Sequence, residues 1–221
     1  MMSLLLHTTR DGGAQRMRVP WEQWRSLRLA VHGLVRDVPL YDVKVVDPPG
    51  GGAGRTLADV RALLAREHVR AAHLLVRRLF ALRALLGRLC GWDAGRPTHP
   101  ETSSLHRLSS DITRRSALPP GSPDGPFRVL YVLERESLAE VRNATVHAFL
   151  ASVLTETPSG YRLYWAVYVH PVSWLTPLYM ALIEPFRRYI VYPAILRRIR
   201  RAWEERYTRP RDPRASGTVS P

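Results

Sequence analysis

The chain is short of two residue types, and each shortage excludes something. It has one cysteine, Cys90. A lone cysteine rules out an intramolecular disulfide and a cysteine-built metal cluster. Cys90 lies in GRLCGWD, where the expected role is that of a small buried hydrophobe. The chain also has one lysine, Lys44, so its net charge of +14 is almost entirely arginine, as expected of a genome that favours arginine and alanine codons. Such charge attracts nucleic acid, anionic lipid or acidic partners. The arginines are spread along the chain, however, and no nucleic-acid fold signature accompanies them, so nucleic acid is not an expected partner.

Signatures of chemistry are missing as well. There is no Ser-His-Asp order, no HExxH and no Cys-His pairing. The histidines show no metal spacing, and neither a metal nor a cofactor is expected. The segment PGGGAGRT between a strand and a helix has the context of a phosphate loop. Pro49 occupies its first glycine position and Arg55 its lysine position, so it reads as a flexible connection. The N-terminal MMSLLLHTTRDGG carries only a three-leucine run with no basic region before it, which is not a signal peptide; a bacterial cytoplasmic location is the expectation.

What is present is a set of periodic segments. Apolar residues from Trp21 to Val38 recur at helical spacing, with Pro39 ending the run. In Leu40 to Asp47, Tyr41, Val43 and Val45 alternate with Asp42 and Lys44, the pattern of a half-buried strand. Thr56 can cap a helix with Asp59 three residues on. A second, strongly apolar helix is expected from about Val69 to Gly91, with Arg83 at the edge of its leucine face. From Asp93 to Pro126 the pattern vanishes among prolines, serines and threonines, and a mobile loop is expected. The remainder reads as an antiparallel meander of four strands: FRVLYVLER, LAEVRN, ATVHAFLASVLTET and YRLYWAVYVH. Residues 1–20 and 208–221 are disordered by composition, leaving a single domain over 21–207.

The stretch from Leu163 to Ile183 has 21 residues without a formal charge, long enough to cross a bilayer. Its first third alternates like a strand, and it holds His170, Pro171 and Pro177. It is better divided at His170-Pro171 into a last strand and the start of a final helix. Pro185 and Pro193, eight residues apart, should kink that helix. On the sheet, His147 shares a strand face with Phe149 and is a candidate acid, base or hydrogen-bond anchor.

The segments LFALRALLGRLCGWD, FRVLYVLERESLAEVRNATVHAFL and YRLYWAVYVHPVSWLTPLYMALIEPFRRYIVYPAILRRI resemble an uncharacterised bacterial family, domain of unknown function 2867. That family is similar to the START-like, Bet v 1-like (SRPBCC) superfamily, and the resemblance covers roughly Trp21 to Tyr207. It implies an α+β helix-grip fold: a curved antiparallel sheet wrapped around a long, here proline-kinked, C-terminal helix, with additional N-terminal helices and a cavity between sheet and helix. A hydrophobic small molecule or lipid is the implied ligand, and the family supplies no catalytic residues to carry over. Candidate cavity residues are Tyr131, Phe149, Trp165, Tyr168, Tyr179 and Phe186, with His147, Arg83 or Arg142 as polar anchors. The reading favours a binding protein over an enzyme. Two alternatives stay open: a cyclase or hydratase on the same fold, using His147 or a glutamate as acid or base, and a peripheral membrane or interaction protein using the basic C-terminal helix.

Overall fold

The alternating segments pair as their spacing predicts. The computed structural model describes residues 20–68, 103–125, 127–142, 146–172 and 176–208. Its strands are β1 (Leu40–Val46), β2 (Pro123–Asp124), β3 (Phe127–Val132), β4 (Glu136–Arg142), β5 (Val146–Thr157) and β6 (Gly160–Pro171). They form one antiparallel sheet in the order β1-β6-β5-β4-β3-β2. The meander from β3 to β6 is the expected one. β1 closes the other edge against β6, with Val43 opposite Ala166 and Val46 opposite Leu163.

Helices cover both faces. On one, helix α1 (20–26) and helix α2 (Ala30–Leu34) bury Trp24, Val31 and Val35 against Phe149, Ala151, Tyr164 and Ala166. On the other lie helix α3 (Leu57–His68) and the C-terminal helices. There Leu57, Val60, Ile199 and Trp203 pack on Leu154, Tyr161 and Leu163. The two sets of strand residues are those that a period of two separates.

The single helix expected from Trp21 to Val38 is broken at 27–29. Leu29 is extended, with φ −124° and ψ 144°. A restart in mid-chain leaves backbone N–H groups without partners. Glu136, from β4, takes two of them: its carboxylate accepts from the N–H of Ala30 at 3.0 Å and of Val31 at 2.8 Å. Of the apolar positions of the expected helix, Trp24, Val31, Val35 and Val38 are nevertheless buried, and Trp21 and Leu34 are half-buried against the same core.

The stretch from Asp93 to Pro126, expected to lack structure, carries short elements within its described part. These are a 3-10 turn (Ser104–Arg107), helix α4 (Ser110–Arg115) and β2. Ser103 and Ser109 cap the two turns by accepting the N–H of Leu105 and Ile112. Leu105, Leu108 and Ile112 pack against the core. The apolar helix expected from Val69 to Gly91, with Arg83 and Cys90, lies outside the described residues.

The uncharged stretch divides where expected: β6 ends at Pro171, and helix α5 (Thr176–Phe186) begins at Thr176-Pro177. Among the described residues no helix is long and apolar enough to cross a membrane. The final helix is not one kinked rod. α5 passes into a π turn (Arg187–Val191) and then into helix α6 (Tyr192–Tyr207). The prolines supply a reason. Pro193 has no N–H for the carbonyl of Tyr189, four residues back. A π register moves each donor one residue on and offers that carbonyl the N–H of Ala194. In α6, Tyr192, Ile199 and Trp203 form the buried stripe, and Arg197, Arg200, Arg201 and Arg206 face solvent.

The glycine-rich connection between β1 and α3 is a socket for α6. The Pro49 carbonyl accepts from Trp203 Nε1 and Thr208 Oγ1, both at 3.1 Å, and the Gly52 carbonyl accepts from the Tyr161 hydroxyl at 2.8 Å. Gly51 has φ +99°, and a Cβ there would stand 2.8 Å from the Trp203 ring. Only glycine lets the backbone come this close. The loop turns these carbonyls onto protein partners, consistent with a connection rather than a phosphate cradle.

Candidate functional site

β1 sends Asp42 and Lys44 to the sheet face that the C-terminal helices cover. Their register partners on β6 are Val167 and Trp165. The alternation of β1 holds from Asp42 to Val45, but a bulge between Leu40 and Asp42 puts Tyr41 on the Asp42 side rather than with Val43 and Val45. That polar side is not the wet side: the Asp42 side chain is only 13% exposed. Above it the π turn places Arg187, with Glu184 one turn earlier and Tyr192 at the start of α6. Such turns insert a residue into the helical register and re-aim side chains.

The result is a cluster of charge inside an apolar layer. Lys44 Nζ is 3.1 Å from Asp42 Oδ1 and lies 5.5 Å from the centre of the Tyr192 ring. The Arg187 guanidinium stands over both the Tyr41 and Tyr192 rings, at 5.0 and 5.2 Å, and donates through Nη2 to the Tyr192 hydroxyl. Cation–π placement of this kind gains strength as water is removed. Three buried polar atoms have no hydrogen-bond partner among the described residues: Asp42 Oδ2, Glu184 Oε2 and Arg187 Nη1. The last two are 3.6 Å apart, an ion contact that falls outside hydrogen-bonding range. Burial, opposed by Arg187, pushes the Tyr192 phenol up to about 12. Burial and then the charge of Glu184 push Tyr41 up. Both therefore remain neutral phenols.

The opposite face holds the second polar group, built on β4. Glu136 and Glu140 are four residues apart, on one side of the strand, and both are buried. Besides the two α2 amides, Glu136 accepts from the Tyr131 hydroxyl. Glu140 accepts from Ser103 Oγ and from the Ser104 N–H at 3.1 Å, and His147 Nε2 lies 2.9 Å from it. Burial raises the Glu140 carboxyl, but these three partners outweigh it and hold it below the ordinary range. The serine spends its hydroxyl on the carboxylate rather than on the histidine. No nucleophile–base relay therefore forms among these three; they tie the 103–108 segment to the sheet. The nearby cleft of about 360 Å³ is lined by Gly33, Leu34, Arg36, Asp37 and Arg107. Arg107 and Asp37 bind each other through both guanidinium arms.

The family model described as Protein of unknown function (DUF2867) matches residues 34–194. The chain belongs to this family. No curated protein and no solved structure matches it. The matched span of this DUF2867 chain holds the six strands of the described residues, the π turn and Tyr192, and so the cluster around Arg187. It leaves out Trp24 and Trp203, which seal the two faces.

The candidate cavity residues do not converge. Tyr131, Phe149 and Tyr168 lie on the α1–α2 face with His147, closely packed. Tyr168 accepts from Trp24 Nε1 at 2.8 Å, and the His147 ring stacks 4.5 Å from Phe149. Trp165 lies on the other face, among the residues under α3 and α6. One cavity cannot be lined by both sets, because strand parity separates them. Arg142 is exposed at the end of β4. Tyr179 and Phe186 belong to α5, on the Trp165 side, but their side chains, like Arg83, lie outside the described residues. Asp42, Lys44, Glu184 and Arg187 were not anticipated as a group. The available signal was the pair of prolines flanking Arg187, which marks a break in helical register.

Proposed function

We propose that this DUF2867 protein binds a hydrophobic small molecule or lipid between the sheet and its C-terminal helices, in the manner of START-like proteins. One observation carries the reading: a largely buried Arg187 whose Nη1 meets Glu184 Oε2 only at ion-contact distance, with Asp42 Oδ2 also lacking a hydrogen bond among the described residues, in an otherwise apolar layer. Trp165, Val167, Ile183 and Ile195 supply apolar wall on that side. Apolar walls with a few convergent polar groups are the usual anatomy of a ligand site. Taking charges out of water costs stability even when they are paired, so a purely structural core gains little from such a group. The strand order supports the same reading, with the first strand against the last and the final helix laid over one face.

Native mass spectrometry of the chain purified from its own host tests this. The expected result is a co-purifying apolar molecule released on denaturation. An empty protein whose melting temperature is unmoved by fatty alcohols, fatty acids and naphthyl compounds would defeat the reading.

A further inference from the structure

We propose that the cluster under the π turn recognises an uncharged hydroxyl, the polar head of a ligand whose body is apolar. This rests on the small-molecule reading above and adds the chemistry of the head group.

Charge balance comes first. Asp42 and Glu184 are offset by Lys44 and Arg187, all within one cluster. A carboxylate or an ammonium would bring an uncompensated charge beside Asp42 and Arg187, whose side chains are only 13% and 15% exposed, which is penalised. A neutral head avoids that penalty.

Hydrogen-bond polarity narrows the class further. The atoms without a hydrogen bond among the described residues are two acceptors, Asp42 Oδ2 and Glu184 Oε2, and one donor, Arg187 Nη1, which stands 3.6 Å from Glu184 Oε2. A hydroxyl donates one hydrogen and accepts on its lone pairs. It can therefore give its proton to a carboxylate oxygen and take the Arg187 N–H. A ligand carboxylate has nothing to donate to Asp42 or Glu184. An ammonium has no lone pair for Arg187. An ether or ketone satisfies the donor but neither acceptor, whereas a hydroxyl satisfies the donor and one acceptor.

Preorganisation is already in place. The guanidinium is held between Tyr41 and Tyr192 and bonded to the Tyr192 hydroxyl. Its direction is thus set before a ligand arrives, which reduces the ordering cost of binding.

The test uses the full chain and three probes with one body: 2-naphthol, 2-naphthoate and 2-methylnaphthalene, with the dodecyl alcohol, acid and hydrocarbon as a second series. Affinities come from calorimetry or tryptophan fluorescence. The alcohols are expected to bind about tenfold or more tightly than the acids and the hydrocarbons, the size of a charge-assisted hydrogen bond in a buried site. Arg187→Met should bring the alcohol to within about twofold of the hydrocarbon and leave the hydrocarbon affinity unchanged. If that variant does not fold, Asp42→Asn and Glu184→Gln, which keep shape and remove charge, carry the same comparison. Equal binding of all three head groups, or tightest binding of the acids, overturns the hydroxyl inference and leaves the small-molecule reading standing. Binding of none of the six overturns both.

Discussion

A carboxylate inside an apolar core has to be surrounded by donors, and β4 carries two that are. Glu136 takes the amides of Ala30 and Val31 and the Tyr131 hydroxyl. Its replacement by alanine strands three donors at once, each costing about 1–3 kcal/mol when left unpaired in the interior. Glu136→Ala is therefore expected to lose at least about 3 kcal/mol in urea unfolding, and Glu136→Gln, which keeps one acceptor oxygen in place, markedly less. Glu140 gives a pH-dependent prediction. Its folded value is depressed below the ordinary 4.5, so its contribution is present above that value and is lost as pH falls through the lower folded one. Stability should decline on acidification in this window, and Glu140→Gln should flatten the decline; acid titrations of unfolding followed by circular dichroism measure both. Neither role was legible in the sequence. Glu136 serves residues more than a hundred positions earlier, and a local pattern holds no record of such a partner.

Among elements, the strands were legible and the helix breaks were not. A period of two tells which residues share a face, and that reading placed Tyr164 with Tyr168 and Leu163 with Trp165 correctly. It does not tell which face a helix will cover, so Asp42 and Lys44 read as solvent residues although they lie beneath α5 and α6. The break between α1 and α2 depends on Glu136, and the short turns at 103–115 depend on Glu140 and on caps too weak to see among so many serines. The π turn could have been suspected, because two prolines eight residues apart each remove a helical donor. It is the equivalent of one inserted residue, and it yields a specific expectation. Deleting Tyr189, 72% exposed within the π turn, should restore an α register while Met180 and Trp203 keep facing the sheet. Deleting Arg200 from the middle of α6 should rotate Trp203 by about 100° away from Ile199. Thermal melts are expected to show a smaller loss for the first deletion than for the second, and the reverse order would refute the insertion account.

For the molecule as a whole, two layers of helix seal one sheet, and each layer relies on a fully buried tryptophan. Trp203 anchors α6 in the glycine socket and covers Leu57, Tyr161 and Leu163. Losing a large buried aromatic side chain typically costs about 3–5 kcal/mol, against a total stability of about 5–15 kcal/mol for an ordinary domain. A chain ended before Tyr192 loses that side chain together with the rest of α6. It is expected to show no cooperative thermal transition and to bind a hydrophobic dye. A sharp melt in the truncated chain would mean that α6 is an accessory rather than a wall.

The pairing of β1 with β6 also has a consequence during synthesis. β1 leaves the ribosome early, but the strand it pairs with follows on the order of 100 residues later, which at roughly 5–20 residues per second is a wait of about 5–20 s. Through that interval the nascent chain carries an unpaired strand, the kind of edge that invites association with other chains. Asp42 and Lys44, the charged residues of β1, would discourage such encounters while the partner is still being made. The same two side chains would then serve twice, as guards of a solitary strand and later as half of the charge set beneath the π turn.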